Sequence, residues 1–379
     1  MILEENKPMS KMLLCLSLLV NICLADSEIS RKYAEQVKQL DPDIKLTQEQ
    51  LVRAFDFIEN LKRSNNKKKV FTPKETQLPC FIERSSTLRG FLIKDFKENK
   101  IGGGKHKSVR KVVFYKTEPR VLADCDTDTS AQGEIKILQK LKGKPGIVPF
   151  FGSERKKRGR YSIYLDYYSG GSLRKRFNHG YSFNNVQILK IAKDLVAGLR
   201  AMHKQHLVHR DLHEGNFLIR EGFNDAVEAV LVDFGKTLAP SQAKRLYPQV
   251  PKSKNPPEIL VQPLTKIDRY ASEIYALGCI FYHLVWNDTH PWSYTYNIRD
   301  TLPMSFEGRQ RLYKKVIGLY QTTKKKRIGP ILHSKQPLNQ FENFKVLVFQ
   351  MLHYQPKNRP SLARLEHFLQ KEAVYTDYD

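Results

Sequence analysis

Apolar residues are unevenly spread along this chain, and the character of their spacing changes as it proceeds. Met12 to Leu24 form an almost unbroken apolar run, MLLCLSLLVNICL, with Lys11 before it and Ala25-Asp26 after it. These thirteen residues fall short of the roughly 20 that span a bilayer but suit the apolar core of a secretory signal. Residues 1–25 are therefore expected to be a signal peptide ending at Ala25, the more so if translation starts at Met9; a buried N-terminal helix is the alternative.

From Ser27 to about Lys62 the spacing turns helical. Thr47-Gln48-Glu49-Gln50 has the form of a capping box. Behind it Leu51, Ala54, Phe55, Ile58 and Leu61 recur at steps of three and four and make one apolar stripe. Asn65 to Lys69 reads as a solvated linker. Residues 26–90 are expected to be a helical extension and linker without visible chemistry.

Beyond it the period shortens. FLIKDF near 91–96, VRKVVFY at 109–115 and YSIYLDY at 161–167 read as strands, with a helical window, AQGEIKILQKL, between the last two. After Ser182 the pattern is mostly helical, most strongly in NNVQILKIAKDLVAGLRAMH and ASEIYALGCIFYHLV. A strand-rich part followed by a helix-rich part predicts an α+β fold with segregated lobes.

Composition narrows the class more than the function. With 379 residues, 41% hydrophobic and 27% charged, the chain is neither collagenous, disordered nor a multi-span membrane protein, and it is long enough for two folded units. Its 64 Lys+Arg against 39 Asp+Glu leave a net charge of +25, which suits nucleic acid, anionic membrane or phosphates, or simply a well-solvated surface. The basic clusters Arg155–Arg160 and Lys324–Arg327 are the places where nucleic acid or lipid could be met; the first falls between two candidate strands, where a solvated turn is the expected reading. Membrane contact is expected only through the N-terminal apolar run. The five cysteines, at 15, 23, 80, 125 and 279, contain no CxxC pair and so suggest neither a zinc site nor a disulfide scaffold.

The chemistry is concentrated in His209-Arg210-Asp211-Leu212-His213-Glu214-Gly215-Asn216, set between apolar residues. Asp211 and Asn216 can aim at one point from a loop between two short strands. A carboxylate can accept a hydroxyl proton, and a neutral carboxamide oxygen can ligate Mg²⁺ without adding charge. Seventeen residues after Asn216 stands Asp233-Phe234-Gly235, whose aspartate can hold a metal that bridges phosphate oxygens. The two motifs in this order resemble the catalytic loop and metal-binding motif of protein kinases.

That resemblance runs from about 95 to 370 and implies a two-lobed fold, with a small β-rich lobe over about 95–165 and a larger helical lobe over about 169–370. Pro256-Pro257-Glu258 is similar to the family's Ala-Pro-Glu, with Arg359 as the arginine that pairs with its glutamate. Glu273 to Gly278 resembles the start of the large buried helix, with Glu where Asp is usual. Leu165 stands at the gatekeeper position, and backbone groups of Asp166 to Tyr168 are implied to meet adenine. The implied cofactors are ATP and Mg²⁺, with Asp211 receiving or orienting the substrate hydroxyl and Asn216 and Asp233 holding the metal. Arg210 is implied to pair with a phosphorylated activation segment, for which Thr237, Ser241, Tyr247 and Ser253 are the available hydroxyls.

The nucleotide loop departs from the family. Ile101-Gly102-Gly103-Gly104-Lys105-His106-Lys107-Ser108-Val109 fits the glycine-loop spacing except that Lys107 replaces the third glycine. The strand expected to carry the phosphate-binding lysine, Arg120 to Cys125, has Cys125 in its place. This combination is similar to the with-no-lysine kinases, and it implies that Lys107, with Lys105 in reserve, meets the α- and β-phosphates and is oriented by Glu134. The alternatives are a pseudokinase acting as a scaffold or binding module, and a small-molecule kinase of the aminoglycoside phosphotransferase type. A protein hydroxyl is the expected acceptor, serine or threonine before tyrosine, although His213 and Pro251 stand where serine/threonine kinases usually carry Lys and Thr. The chain is expected to be exported if the signal is used and cytoplasmic otherwise.

Overall fold

The computed structural model describes residues 28–370 except 65, 96–100, 105–106, 117–119, 129–130, 223, 225, 244–253, 289–304 and 335. The expected signal peptide lies outside the described residues, as do Lys105, Tyr247, Pro251 and Ser253. Among the described residues no helix is long and apolar enough to cross a membrane. The chain forms two compact units, one reaching to Ala131 and including Phe150–Tyr167, the other made of Gln132–Pro149 and everything from Tyr168 on.

The first unit opens with helices α1 (28–40) and α2 (Gln48–Arg63). Thr47 and Gln50 form the expected reciprocal cap, and the five stripe residues Leu51 to Leu61 are all buried. Strand β1 (Val70–Phe71), a single helical turn α3 (Pro73–Thr76), and strands β2 (Cys80–Ser85), β3 (Gly90–Asp95), β4 (Gly102–Gly104), β5 (Lys107–Tyr115) and β6 (Arg120–Thr127) follow, with β7 (Phe150–Arg155) and β8 (Tyr161–Asp166) completing the sheet. Its order is β1-β2-β3-β5-β6-β8-β7, with β4 on β5, and every pairing is antiparallel.

Residues 70–85, within the stretch 26–90 expected to be a helical extension and linker, form an added edge of the sheet. The signal was weak because β1 is two residues long and β2, CFIERS, mixes apolar with charged positions. The helical extension packs on this sheet. Phe55, Ile58 and Leu61 pack with Ile82, Ile93, Val113, Tyr115 and Val121 on one face of the sheet, while Leu92, Val112, Phe114, Leu122 and Tyr164 form a separate cluster on the other. The Phe55 and Tyr115 rings stack at 4.8 Å, and the Tyr115 hydroxyl donates to Glu59.

One charged contact lies within that apolar seam. Lys111 Nζ meets Asp41 Oδ2 at 2.5 Å, with both residues buried, and the same ammonium sits 5.0 Å from the centre of the Tyr167 ring. Part of the basic turn 155–160 is also neutralised: Lys156 bonds Glu83 and Glu154 at 2.6 and 3.1 Å, and Arg160 meets Asp126.

The second unit begins with α4 (Ala131–Leu141), whose first residue ends the other unit. The loop after α4 is tied to the larger unit: Leu231 N–H donates to the Gly146 carbonyl at 2.9 Å, and Val148 N–H to the Leu231 carbonyl at 3.2 Å. A Cβ on Gly198 would lie 2.4 Å from the Gly146 carbonyl oxygen, so this close approach requires glycine. Helices α5 (Leu173–Asn178) and α6 (Asn185–Lys204), hairpin strands β9 (Phe217–Glu221) and β10 (Val227–Leu231), the turn α7 (Pro240–Ala243), the buried helix α8 (Arg269–Trp286), and helices Phe306–Leu332, Gln340–Met351 and Leu362–Gln370 build the rest. A β-rich unit and a helical one give the expected α+β, protein-kinase-like architecture.

Removing one partner of a buried ion pair strands the other, at a cost of about 3–5 kcal/mol. Asp41→Ala should therefore lower the urea-unfolding free energy of the first unit's transition by about that much, and the double variant Asp41→Leu/Lys111→Met should restore most of it. An unchanged transition in Asp41→Ala would show that the pair does not hold the extension.

Candidate active site

The loop after α6 is built around two backbone conformations that side chains other than glycine seldom adopt. Arg210 has φ 68° and Asp233 has φ 65°. Glu273, from α8, holds the first: its Oε1 accepts the Arg210 backbone N–H at 2.7 Å, and its Oε2 lies 2.9 Å from His203 Nε2. His209 is fully buried, donates from Nε2 to the Val232 carbonyl at 3.1 Å, and accepts the Asp211 N–H on Nδ1 at 3.3 Å. Its ring meets Phe234 edge-on at 5.5 Å. The catalytic-loop and Asp-Phe-Gly motifs are thus joined through one histidine.

Asp211 is the focus of this arrangement. Asn216 Nδ2 donates to the Asp211 backbone carbonyl at 2.9 Å and reaches Oδ2 at 3.5 Å, which leaves Asn216 Oδ1 as an acceptor. Lys236 Nζ lies 2.8 Å from Asp211 Oδ2, and His213 Nε2 lies 3.8 Å from the same oxygen. Sequence reasoning missed Lys236. It stands immediately after Asp233-Phe234-Gly235, but nothing in linear order says that its ammonium folds back onto Asp211. Equally unannounced is Lys254, buried against Glu214 at 2.6 Å. Burial works to raise the Glu214 carboxyl, but the Lys254 ammonium outweighs it and the net shift is downward.

Glu134, in the first turn of α4, is buried. A Cβ on Gly235 would lie 3.9 Å from its Oε2 and 3.5 Å from Asp233 Oδ1, so both carboxylates border this glycine. The backbone ties from the loop after α4 to Leu231 explain why α4 and the Asp233 motif are placed together. The closing glutamate of the segment is fixed too. Arg359 grips Glu258 with two bonds of 2.8 and 2.6 Å, gives further bonds to the Ala271 and His353 carbonyls, and stacks on the Tyr275 ring. Both side chains are fully enclosed.

Of the hydroxyls considered for modification, Thr237 is buried and Ser241 exposed; Tyr247 and Ser253 lie outside the described residues. The Arg210 guanidinium donates to the Lys236 carbonyl at 3.3 Å and is close enough to Arg269 to depress its basicity, after burial, which is the larger cause.

In the first unit, Gly102, Gly103 and Gly104 pair with Val109, Ser108 and Lys107, and β5 in turn pairs Val109 with Cys125 and Lys107 with Thr127. Opposed residues of an antiparallel pair share a face, so Lys107 lies diagonal to Cys125, on the same face and about 7–8 Å away, a separation that a long side chain can cover. Cys125 and Leu165 are buried and Ile101 is exposed. Asp166 Oδ1 accepts the Tyr167 backbone N–H at 3.1 Å. Tyr168, buried, belongs to the second unit, with its hydroxyl on Glu228 Oε1 at 3.0 Å and Arg220 over its ring. The two units divide between Tyr167 and Tyr168, within the segment expected to meet adenine.

For a metal, the available donors are hard oxygens: the Asn216 carboxamide oxygen and the Asp233 carboxylate. Among the described residues no group of three His, Cys, Asp or Glu side chains could hold an ion. A site with one carboxylate and one carboxamide suits Mg²⁺, which keeps water and binds with substrate phosphates rather than in an all-protein cage.

Burial holds the His213 imidazole below its ordinary value of 6.5, against the opposing pull of Asp211, and does the same to His283 and His353. The unfolded chain then takes up these protons first as pH falls, so folded-state stability should be level above about pH 7 and decline as pH drops through 6.5. Melting temperatures measured from pH 8 to 5 should show that decline. A melting temperature that is flat or rising between pH 7 and 5.5 would contradict the burial argument.

Comparison with known proteins agrees with this geometry. The chain is 29% identical over 203 residues to mitogen-activated protein kinase kinase kinase 3 of Arabidopsis thaliana, covering 52% of this chain and 30% of that protein. It is 28% identical over 241 residues to the human serine/threonine-protein kinase Nek5, covering 62% and 29%. With the dual specificity protein kinase zakA of Dictyostelium discoideum it shares 26% identity over 270 residues, covering 65% and 33%. The chain spans about a third of the length of these relatives. The family model "Protein kinase domain" matches residues 98–372, the stretch that holds the residues of this site, and the chain belongs to the protein kinase family.

Proposed function

We propose that this chain is an active, ATP-dependent protein kinase that transfers the γ-phosphate to a protein hydroxyl, serine or threonine in preference to tyrosine, with its phosphate-anchoring lysine relocated to Lys107. The observation that carries the first half is the set of contacts fixing Asp211: Glu273 on the preceding backbone N–H, His209 on its own, and Asn216 on its carbonyl. These contacts fix the backbone that presents the Asp211 carboxylate, a placement that phosphoryl transfer needs and a scaffold does not. The register supports the second half, since Lys107 shares a sheet face with Cys125, the residue in the usual lysine's place, as in the with-no-lysine kinases. A phosphate needs a cation within reach, whichever strand delivers it.

In this reading Lys107 meets the α- and β-phosphates, and Glu134 orients the ammonium. Ile101, Gly102, Gly104 and Val109 cover the nucleotide, Lys105 is the reserve candidate for the anchoring cation, and the backbone at Asp166 and Tyr168 meets adenine. Asn216 and Asp233 hold Mg²⁺, which when bound neutralises charge on the phosphate oxygens. Asp211 orients the acceptor hydroxyl and takes its proton, and Arg210 receives a phosphorylated activation-segment residue. Phosphoryl transfer asks chiefly for positioning and charge neutralisation, which these residues supply. Serine/threonine preference draws on relatives such as the serine/threonine-protein kinase Nek5, although zakA is a dual specificity protein kinase.

Lys107→Met should weaken ATP–Mg²⁺ binding and reduce autophosphorylation with labelled ATP by at least about a hundredfold, while Asp211→Asn should abolish transfer and leave nucleotide binding near wild type. Full autophosphorylation by Lys107→Met would refute the relocated lysine. Wild-type protein that neither binds ATP–Mg²⁺ nor transfers phosphate would make the chain a pseudokinase.

A further inference from the structure

The contacts around the Asp211 carboxylate differ in charge. His213 accepts on Nδ1 from the Gly215 backbone N–H and from Arg174 Nη2, both at 3.0 Å, so the ring proton of the neutral imidazole sits on Nε2, facing Asp211. Asn216 contributes a neutral amide. Lys236 contributes a full positive charge at 2.8 Å, on a side chain that is 47% exposed. Its backbone is fixed from both sides: the left-handed Asp233 turns the chain into the Phe234–Lys236 turn, the Thr237 N–H closes that turn on the Phe234 carbonyl, and Arg210 caps the Lys236 carbonyl. An ion pair as exposed as this adds little to folding stability, so stability alone does not account for the lysine.

We propose that Lys236 is a positioning residue of phosphoryl transfer, its ammonium holding the Asp211 carboxylate in orientation from the residue after Asp233-Phe234-Gly235. The inference rests on the reading of Asp211 as the group that receives the hydroxyl proton. In that step the acceptor oxygen forms a bond to the γ-phosphorus, the bond from that phosphorus to the bridging oxygen breaks, and ADP leaves with the electron pair. The hydroxyl proton passes to Asp211 and is later released to water, while Lys236 keeps its protons throughout. Its task is to hold Oδ2, the oxygen that Asn216 and His213 also face, so that the carboxylate is fixed with its other oxygen, Oδ1, left to take the acceptor's proton. Position 213, two residues after Asp211, carries a neutral imidazole. Lys236 supplies, from the turn Phe234–Lys236, the charge that position 213 lacks.

The test uses the full chain, labelled ATP–Mg²⁺ and a generic protein acceptor. Lys236→Met should lower kcat about a hundredfold, with KM for ATP within about threefold and the melting temperature within 1–2 °C, as expected for an exposed pair. Lys236→Arg should keep most of the activity. Lys236→Met/His213→Lys, which returns an ammonium to the other side of the same carboxylate, should recover at least tenfold over Lys236→Met, a rescue that a merely structural role would not give. The proposal is overturned if Lys236→Met keeps kcat within about threefold, if its loss appears wholly in KM, or if the double variant is no better than the single one. Asp211→Asn separates the two readings. If it transfers phosphate as wild type does, or if wild type transfers none, the reading of Asp211 fails and the Lys236 proposal falls with it; if Asp211→Asn is dead and Lys236→Met active, only the proposal fails.

Discussion

Arg210 occupies a left-handed backbone conformation, which costs a residue other than glycine about 1–3 kcal/mol, and the Glu273 carboxylate is what holds it there. A hydrogen bond to a charged acceptor contributes about 1.5–3 kcal/mol, the same order as the strain. With His203 on its other oxygen, Glu273 cannot easily swing away. The rest of the site follows from that turn. It presents His209 to Val232 and Phe234, sets Asp211 N–H on the same ring, and brings Asn216 back to the Asp211 carbonyl. A shorter aspartate at 273 would have to approach the loop more closely, so the Glu here and the placement of α8 are linked choices.

The surplus of 25 positive charges acquires meaning once individual partners are known. Lys111 and Lys156 secure the first unit, Lys254 and Arg359 the second, each against a carboxylate. Two others sit at unexpected positions in the motifs, Lys107 beside the glycines and Lys236 after the Asp-Phe-Gly. Phosphoryl transfer requires cations at defined points around the phosphates but sets no rule about which strand carries them, so a lysine can migrate provided another residue reaches the same place. Asp41 and Lys111 show the same indifference at the seam between extension and sheet: an ionic link stands among apolar contacts where burial makes its loss expensive.

Much of this was legible in the sequence because local chemistry and tertiary role coincide. The capping box and stripe of α2, the window that became α4, and the motifs at 209–216 and 233–235 all announce themselves through spacing. The strand pair β1–β2 did not, since CFIERS has its alternation interrupted by charge and gains its strand character from pairing with β3. Helix Phe306–Leu332, with Pro330 inside it and few buried residues, had equally little to signal it. Glu134, Glu258 and Arg359 were identifiable through their motifs; that Lys236 meets Asp211 and Lys254 meets Glu214 depends on how the chain folds back on itself, which no linear spacing encodes.

If Lys107 anchors the phosphates as proposed, a chain with cysteine at the customary lysine position still binds and uses ATP. A crystal structure of the protein with a non-hydrolysable ATP analogue and Mg²⁺ tests it most directly. Lys107 Nζ should lie within hydrogen-bond distance of the α- or β-phosphate, about 3 Å, with Mg²⁺ coordinated by Asn216 and Asp233. Nucleotide bound with the Lys107 side chain turned away from the phosphates, or no nucleotide bound at millimolar concentration, would contradict it.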